Sequence, residues 1–411
     1  MPQNETLVLK NAKIITPMRV IDDGVLIVSD GKISNVGPEG ENKIPEDARV
    51  IDVVGRYLAP GFIDIHLHGG GGADTMDATQ EAIEKISVAH AEGGSTSIVP
   101  TALTAPMDDI TRAVKAIGLA KKRTLPGAQV LGAHLEGPYF SLEQKGAQNP
   151  QYLIKPKPEE YLKFLDEYDC VLRFSAAPEL EGGLELGREL KKRGIVASIA
   201  HTNATYQDVL AAIEAGYTHV THMYSGMSGL KRINAYRISG VIESTLLLNE
   251  LTTEIIADGH HLPPSLMKLI IKTKGLDKVS VITDAMSAAG LGPGKYCVGG
   301  LDAIVEANVA EEFEVPEEKE NYVAKLLTRD SFAGSVATMD RCVRNMVKLV
   351  GFSVQDAVKM ATINPAKVIG IDKEKGSLVE GKDADIVIFD EDIHVTVTIV
   401  KGRIVYQERN N

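Results

Sequence analysis

Six scattered residues could do chemistry together: His66, His68, Glu136, His201, His222 and Asp284. Each stands at or just past the end of a short apolar run of β type. His66 and His68 close Phe62-Ile63-Asp64-Ile65-His66-Leu67-His68, and Glu136 follows Val130-Leu131-Gly132-Ala133-His134-Leu135. His201 follows Val196-Ala197-Ser198-Ile199-Ala200, His222 follows His219-Val220-Thr221, and Asp284 follows Val279-Ser280-Val281-Ile282-Thr283. A His-x-His pair on a strand sends both rings to one side, because strand side chains alternate with period two. Imidazoles and carboxylates gathered at the C-terminal ends of parallel strands suit a hydrolytic metal site.

Glu136, His201 and His222 would hold one divalent ion and leave a position open for water, whose pKa coordination lowers toward ~7. His66 and His68 could complete a second site. Zn suits this donor set, and Fe, Co or Mn fit it as well. Asp284 belongs to the same cluster and can serve as general base and then general acid. A turn or N-cap role is the ordinary reading of an Asp after a strand, but the position at the end of an eighth strand favours catalysis. His261, in Asp258-Gly259-His260-His261, could polarise a carbonyl or hold substrate. His134 shares a face with Glu136 and is read as a supporting partner. His90 and His219 are read as ordinary buried histidines.

The elements that must position these residues alternate. Strands are expected over 62–67, 96–100, 130–135, 171–176, 196–200, 218–221, 253–257 and 279–283, and helices over 79–92, 105–121, 158–168, 184–193, 206–215 and 264–274. Eightfold strand–helix alternation predicts an α/β protein with a (β/α)8 barrel. The competing doubly wound sheet loses ground because Gly69-Gly70-Gly71-Gly72 is not a spaced dinucleotide fingerprint. Both chain ends read as strands, with hairpin turns expected at Asp22-Asp23-Gly24, Asp30-Gly31 and Lys401-Gly402. Small isolated sheets are marginal, so the ends are expected to pair into one β-sandwich. The expected division is 1–58 with 361–411 for that sandwich and 59–360 for the barrel. Residues 292–328 read as a surface hairpin or flap, its acidic run of Glu311, Glu312, Glu314, Glu317, Glu318 and Glu320 a solvated face.

The chain has 411 residues, 44% hydrophobic and 24% charged, with a net charge of -12. That charge argues against nucleic-acid and anionic-membrane surfaces, and an anionic substrate needs a local basic patch. No signal-peptide pattern stands at the N-terminus, and no apolar run approaches the roughly 20 residues of a bilayer span. Cys170, Cys297 and Cys342 have no motif spacing, so they are expected to be small buried hydrophobes in a cytoplasmic protein.

Several stretches resemble the N-acetylglucosamine-6-phosphate deacetylases of the amidohydrolase superfamily. They are Pro60-Gly61-Phe62-Ile63-Asp64-Ile65-His66-Leu67-His68-Gly69, His134-Leu135-Glu136-Gly137-Pro138 with Lys145-Gly146-Ala147-Gln148, Ala200-His201-Thr202-Asn203, Thr221-His222-Met223-Tyr224, Asp258-Gly259-His260-His261 and Thr283-Asp284-Ala285. The resemblance implies a barrel with a β-sandwich, a homodimer, and hydrolysis of the acetamido group of an amino-sugar phosphate. It implies one or two divalent ions on the residues above, Asp284 as acid/base and His261 beside the reacting amide. Gly137, Gln148, Ser225, Gly226, Arg237 and His261 would face the sugar and its phosphate. One stretch departs: Tyr224-Ser225-Gly226-Met227 has Ser225 where the family carries an Asn. The longer run that follows offers Arg237 for phosphate, with Lys231 and Arg232 as rivals. Two other readings remain. One is an amide or cyclic-imide hydrolase acting on an unphosphorylated molecule, and the other is a non-catalytic barrel used as a binding module.

Overall fold

A computed structural model describes residues 6–41, 44–307 and 321–409. Both ends of the chain build one eight-stranded sheet. Its order is Arg403–Gln407, Val395–Val400, Ile386–Phe389, Tyr57–Pro60, Leu7–Ile15, Val20–Ser29 and Lys32–Pro38, with Arg49–Asp52 also paired to Leu7–Ile15. Tyr57–Pro60 joins the halves, parallel to Leu7–Ile15 and antiparallel to Ile386–Phe389. One apolar cluster takes Leu7, Leu9 and Leu26 from the first end and Ile386, Ile388 and Ile399 from the second. The apolar face of the sheet is thus shared by both ends of the chain.

Asp30-Gly31 and Lys401-Gly402 form the expected turns, all four residues having positive φ as tight hairpins require. Asp22-Asp23-Gly24 does not turn. It lies inside the long strand Val20–Ser29, where the register against Leu7–Ile15 shifts and Asp23 takes a φ of 48°. The cue misled because a bulge and a turn demand the same left-handed residue.

A Cβ on Gly61 would lie 2.1 Å from Thr96 Cγ2, so a glycine is needed where the chain passes into the barrel. Eight strands follow, each parallel to the next: Phe62–Leu67, Ser95–Leu103, Ala133–Glu136, Val171–Ala176, Val196–Ile199, Tyr217–Val220, Thr252–Ile256 and Val279–Ile282. The expected third strand is broken at Leu131-Gly132 into Gln129–Val130 and Ala133–Glu136. The six expected helices form as Gln80–Glu92, Met107–Lys121, Pro158–Glu167, Gly183–Lys192, Tyr206–Ala215 and Pro264–Lys274. Thr79 caps the first, its hydroxyl accepting from the Ala82 amide at 3.1 Å. A large apolar layer between helices and strands holds the barrel together.

Among the described residues the first and eighth strands share no continuous ladder. They are joined just past their C-terminal ends instead. The Asp284 amide donates to His66 O at 3.0 Å, and the His68 and Gly69 amides donate to Ala285 O at 2.7 and 3.0 Å. Buried Asp64 adds to this seam by accepting from the Thr283 hydroxyl.

Within 292–328 the described part is a three-stranded antiparallel sheet, Gly294–Val298, Leu301–Ala307 and Tyr322–Leu326. It packs Val298, Ala303, Val305 and Ala324 on Leu103, Met286 and Ala333 above the barrel mouth. The acidic run Glu311 to Glu320 lies outside the described residues. Cys170 and Cys342 are buried as expected, but Cys297 is exposed, on an edge strand of this sheet. Among the described residues no helix is long and apolar enough to cross a membrane.

Candidate metal centre

The six chemical residues converge at the C-terminal mouth of the barrel. Glu136 lies at the centre. Its Oε1 is 2.9 Å from His222 Nε2, 3.1 Å from His201 Nε2 and 3.7 Å from His66 Nε2, and its Oε2 is 3.3 Å from His68 Nε2. Asp284 Oδ1 lies 3.1 Å from His68 Nε2 and 3.4 Å from His66 Nε2. Two ligand groups result, His66 with His68 and Glu136, and Glu136 with His201 and His222. Each keeps its ligand atoms within 4.8 Å of one another.

The donor set fits a divalent ion. The Nδ1 atoms of His66 and His201 are engaged from outside, by Glu254 Oε1 and Gln144 O, both at 2.8 Å. Such outer contacts fix the tautomer and leave Nε2 bare as a ligand atom. His66 Nε2 is buried and has no hydrogen-bond partner. Burial pushes the carboxyl of Glu136 up, but His66, His201 and His222 outweigh it and hold the group well below its usual range. Asp284 is likewise held down against burial by His66 and His68. Burial pulls His66 down, yet Glu136 and Asp284 carry it to about 9. Two ionised carboxylates that raise their neighbours' proton affinity mark a place for positive charge.

Three of these residues have unusual backbones. His201, His222 and Asp284 take φ values of 44°, 26° and 49°. Left-handed non-glycine residues cost about 1–3 kcal/mol each and gather at functional sites. Gly226 makes room beside one of them: a Cβ there would lie 2.5 Å from His201 Nδ1, and its φ is 56°.

Gln148, Ser225, Gly226 and His261 line the cavity above the centre, together with Ile256 and Phe332. The cavity measures about 170 Å³. Gln148 Nε2 donates to Glu136 Oε2 at 3.0 Å. His261 Nδ1 lies 2.8 Å from Asp258 Oδ2, and its ring packs on Phe332 with centroids 4.6 Å apart. Burial lowers the His261 pKa, but the buried Asp258 carboxylate reverses this and raises it above the ordinary value. Gly137 is not part of the lining; its amide turns toward Ser175 O, 3.4 Å away. Arg237 stands apart on the exposed hairpin of Lys231–Ile233 and Tyr236–Ile238, where it donates to Ala235 O at 3.1 Å.

His134 donates to no ligand. It sits between Thr101 and Ser175 hydroxyls and meets the His66 ring edge-on at 4.6 Å. His90 is buried, with Nε2 2.9 Å from Gly69 O. The residues that sequence reasoning missed are Glu254, Arg173 and Asp258. Arg173 and Glu254 form a fully buried pair with contacts of 2.5 and 2.7 Å, and His219 Nε2 lies 3.2 Å from Glu254. A charged residue inside a buried strand, as at Arg173 and Glu254, was the available signal. Arg173→Met strands the Glu254 charge, so it is expected to lower unfolding stability by ~3–5 kcal/mol, read from urea denaturation.

The chain is similar to known proteins along almost its whole length. The amidohydrolase family profile matches residues 57–405. N-acetylgalactosamine-6-phosphate deacetylase of Escherichia coli O157:H7 is 34% identical, covering 97% of this chain and 99% of its own. N-acetylglucosamine-6-phosphate deacetylase of Bacillus subtilis is 36% identical, covering 98% of each. The crystal structure of N-acetylglucosamine-6-phosphate deacetylase from Pasteurella multocida superposes with a TM-score of 0.87 at 30% identity, covering 98% of this chain and 100% of that one. With a histidine–carboxylate centre at the mouth of an eight-stranded barrel and such likeness along almost its whole length, the chain belongs to the amidohydrolase family and, within that superfamily, to the N-acetylglucosamine-6-phosphate deacetylase family.

Proposed function

We propose that the protein hydrolyses the acetamido group of an N-acetylhexosamine 6-phosphate, N-acetylglucosamine 6-phosphate foremost, to acetate and the free amine. The observation that carries this reading is the convergence of Asp284 and His261 on one cavity with the Glu136, His201 and His222 donors. A divalent ion in those donors, Zn being well suited, supplies the Lewis acidity that lets water ionise near neutral pH. Asp284, held ionised, takes the proton from the attacking water and returns it to the leaving nitrogen. His261, braced by Asp258, donates from Nε2 to the acyl oxygen as negative charge gathers there. Gln148 and the Ser225-Gly226 backbone border the space left for the sugar. Protein stripped of metal should lose deacetylation and regain it on adding a divalent ion. Activity retained without metal would overturn the reading.

Among the cavity-lining residues none is Lys or Arg. The phosphate therefore needs a cation from elsewhere, and we assign it to Arg237 of a second copy in a homodimer. Exposed Leu230, Ile233 and Tyr236 around that hairpin support such a contact. Arg237→Ala should cost ~1.5–3 kcal/mol, about 10- to 150-fold in kcat/KM, on the phosphorylated sugar alone. An equal loss on the unphosphorylated sugar would favour the second reading, an amide hydrolase that does not use phosphate. Because one relative is named for the galactosamine epimer, kcat/KM should be measured on both epimers. The three unpaired thiols support a cytoplasmic location.

A further inference from the structure

One carboxylate beneath the cavity touches both ligand groups. Glu254, on the seventh barrel strand, is fully buried. Its Oε1 lies 2.8 Å from His66 Nδ1 and accepts from the His222 amide at 3.3 Å. Arg173, on the fourth strand, grips the same carboxylate through both terminal nitrogens, at 2.5 and 2.7 Å. Arg173 is itself tied to the Thr221 hydroxyl at 2.8 Å, next to the His222 ligand.

We propose that Glu254, locked by Arg173, is a positioning residue that makes His66 a ligand and thereby decides whether the His66/His68 half of the centre fills. This rests on the metal-binding reading of the site but not on the identity of the sugar.

An imidazole binds an ion only through a nitrogen with a free lone pair, and the contact at the other nitrogen selects which one that is. Among the four histidine ligands the outer contacts differ. His201 uses a backbone carbonyl, Gln144 O. His68 and His222 have buried Nδ1 atoms without a hydrogen-bond partner. His66 alone rests on a carboxylate, the acceptor that most raises ligand basicity. Arg173 balances that carboxylate's charge, so Glu254 acts as an oriented acceptor and adds no net negative charge beneath the ions. The rigidity comes from geometry: two parallel bonds from a planar guanidinium fix both carboxylate oxygens at once. Loss of Glu254 should therefore act on the His66 half and spare the Glu136/His201/His222 half. The His222 amide is held by the longer of the two contacts, and its ring nitrogens do not touch Glu254.

The test titrates Co(II) into metal-free protein and follows visible absorption, with a competing chelator to set affinities. The proteins are wild type, Glu254→Gln, and Glu254→Gln combined with Arg173→Met. The double variant matters because Glu254→Gln alone strands the arginine charge, whereas the pair of changes removes both charges together. Wild type should take up two equivalents. In the variants the first equivalent should keep its affinity within about threefold and its spectrum, while the second weakens about 10- to 100-fold. Two unchanged equivalents in the variants would overturn the proposal. So would equal weakening of both, which is what simple loosening of the barrel interior predicts, or a single equivalent in wild type. Wild-type protein that takes up no cobalt would overturn the metal reading along with it, so the two failures can be told apart.

Discussion

Glu136→Gln is expected to lower kcat/KM by at least about 10³-fold, ~4 kcal/mol of transition-state stabilisation, with metal content falling in parallel. The reason is its central place. Every ligand group includes Glu136, and its two oxygens face four imidazoles at 2.9–3.7 Å. A glutamine keeps the shape but carries no charge, and its amide nitrogen turns a donor toward a cation. Depending on how the amide points, it would set its nitrogen against the three histidines at Oε1 or against His68 at Oε2. The measurement is metal content by elemental analysis beside steady-state kinetics. Full metal loading with normal kcat in this variant would remove Glu136 from the role argued for it.

Asp284→Asn should behave differently. Its kcat is expected to fall about 10²- to 10⁴-fold, the range of a lost general acid–base group, with KM changed little. Asparagine tolerates the left-handed backbone that Asp284 adopts, with φ of 49°, so the fold should persist. Metal content separates the two roles the residue could fill. Retained ions with lost turnover mark a proton carrier, whereas lost ions mark a ligand. Asp284 is 3.1 Å from His68 and 3.4 Å from His66, close enough for a ligand atom to be shared between them.

Much of this was legible in the chain because two periodicities survive in it. The eight strands and six helices follow from apolar runs and amphipathic stretches, and His66 with His68 follows from strand alternation. The mouth of the barrel was legible because ligands sit where strands end. The rest depends on information that a local pattern does not carry. Arg173 and Glu254 lie apart in sequence and become partners only when the fourth and seventh strands face each other across the barrel. Asp258 reads as a turn residue, and it does bond the His260 and His261 amides, so its hold on the His261 ring is hidden behind an ordinary role. His201 and His222 break strand alternation through left-handed φ values, which nothing in a histidine announces. Gly226 beside His201 is the nearest thing to a written sign.

The join between the first and eighth strands has a consequence for how the protein lives and dies. The bonds that hold it run between the backbones of His66, His68 and Gly69 on one side and Asp284 and Ala285 on the other, so the ring of strands is fastened at and beside the residues of the candidate metal centre. A clasp built this way should loosen locally, without unfolding, when the ion leaves. Amides 68, 69 and 284, the donors across the join, should exchange with deuterium faster in stripped protein than in loaded protein, while amides in the opposite wall, at 174 and 198, change little. The melting temperature should climb with free metal concentration well past stoichiometric loading, as mass action on a bound ligand requires. Starved of metal, the protein should open first at the mouth of its own barrel.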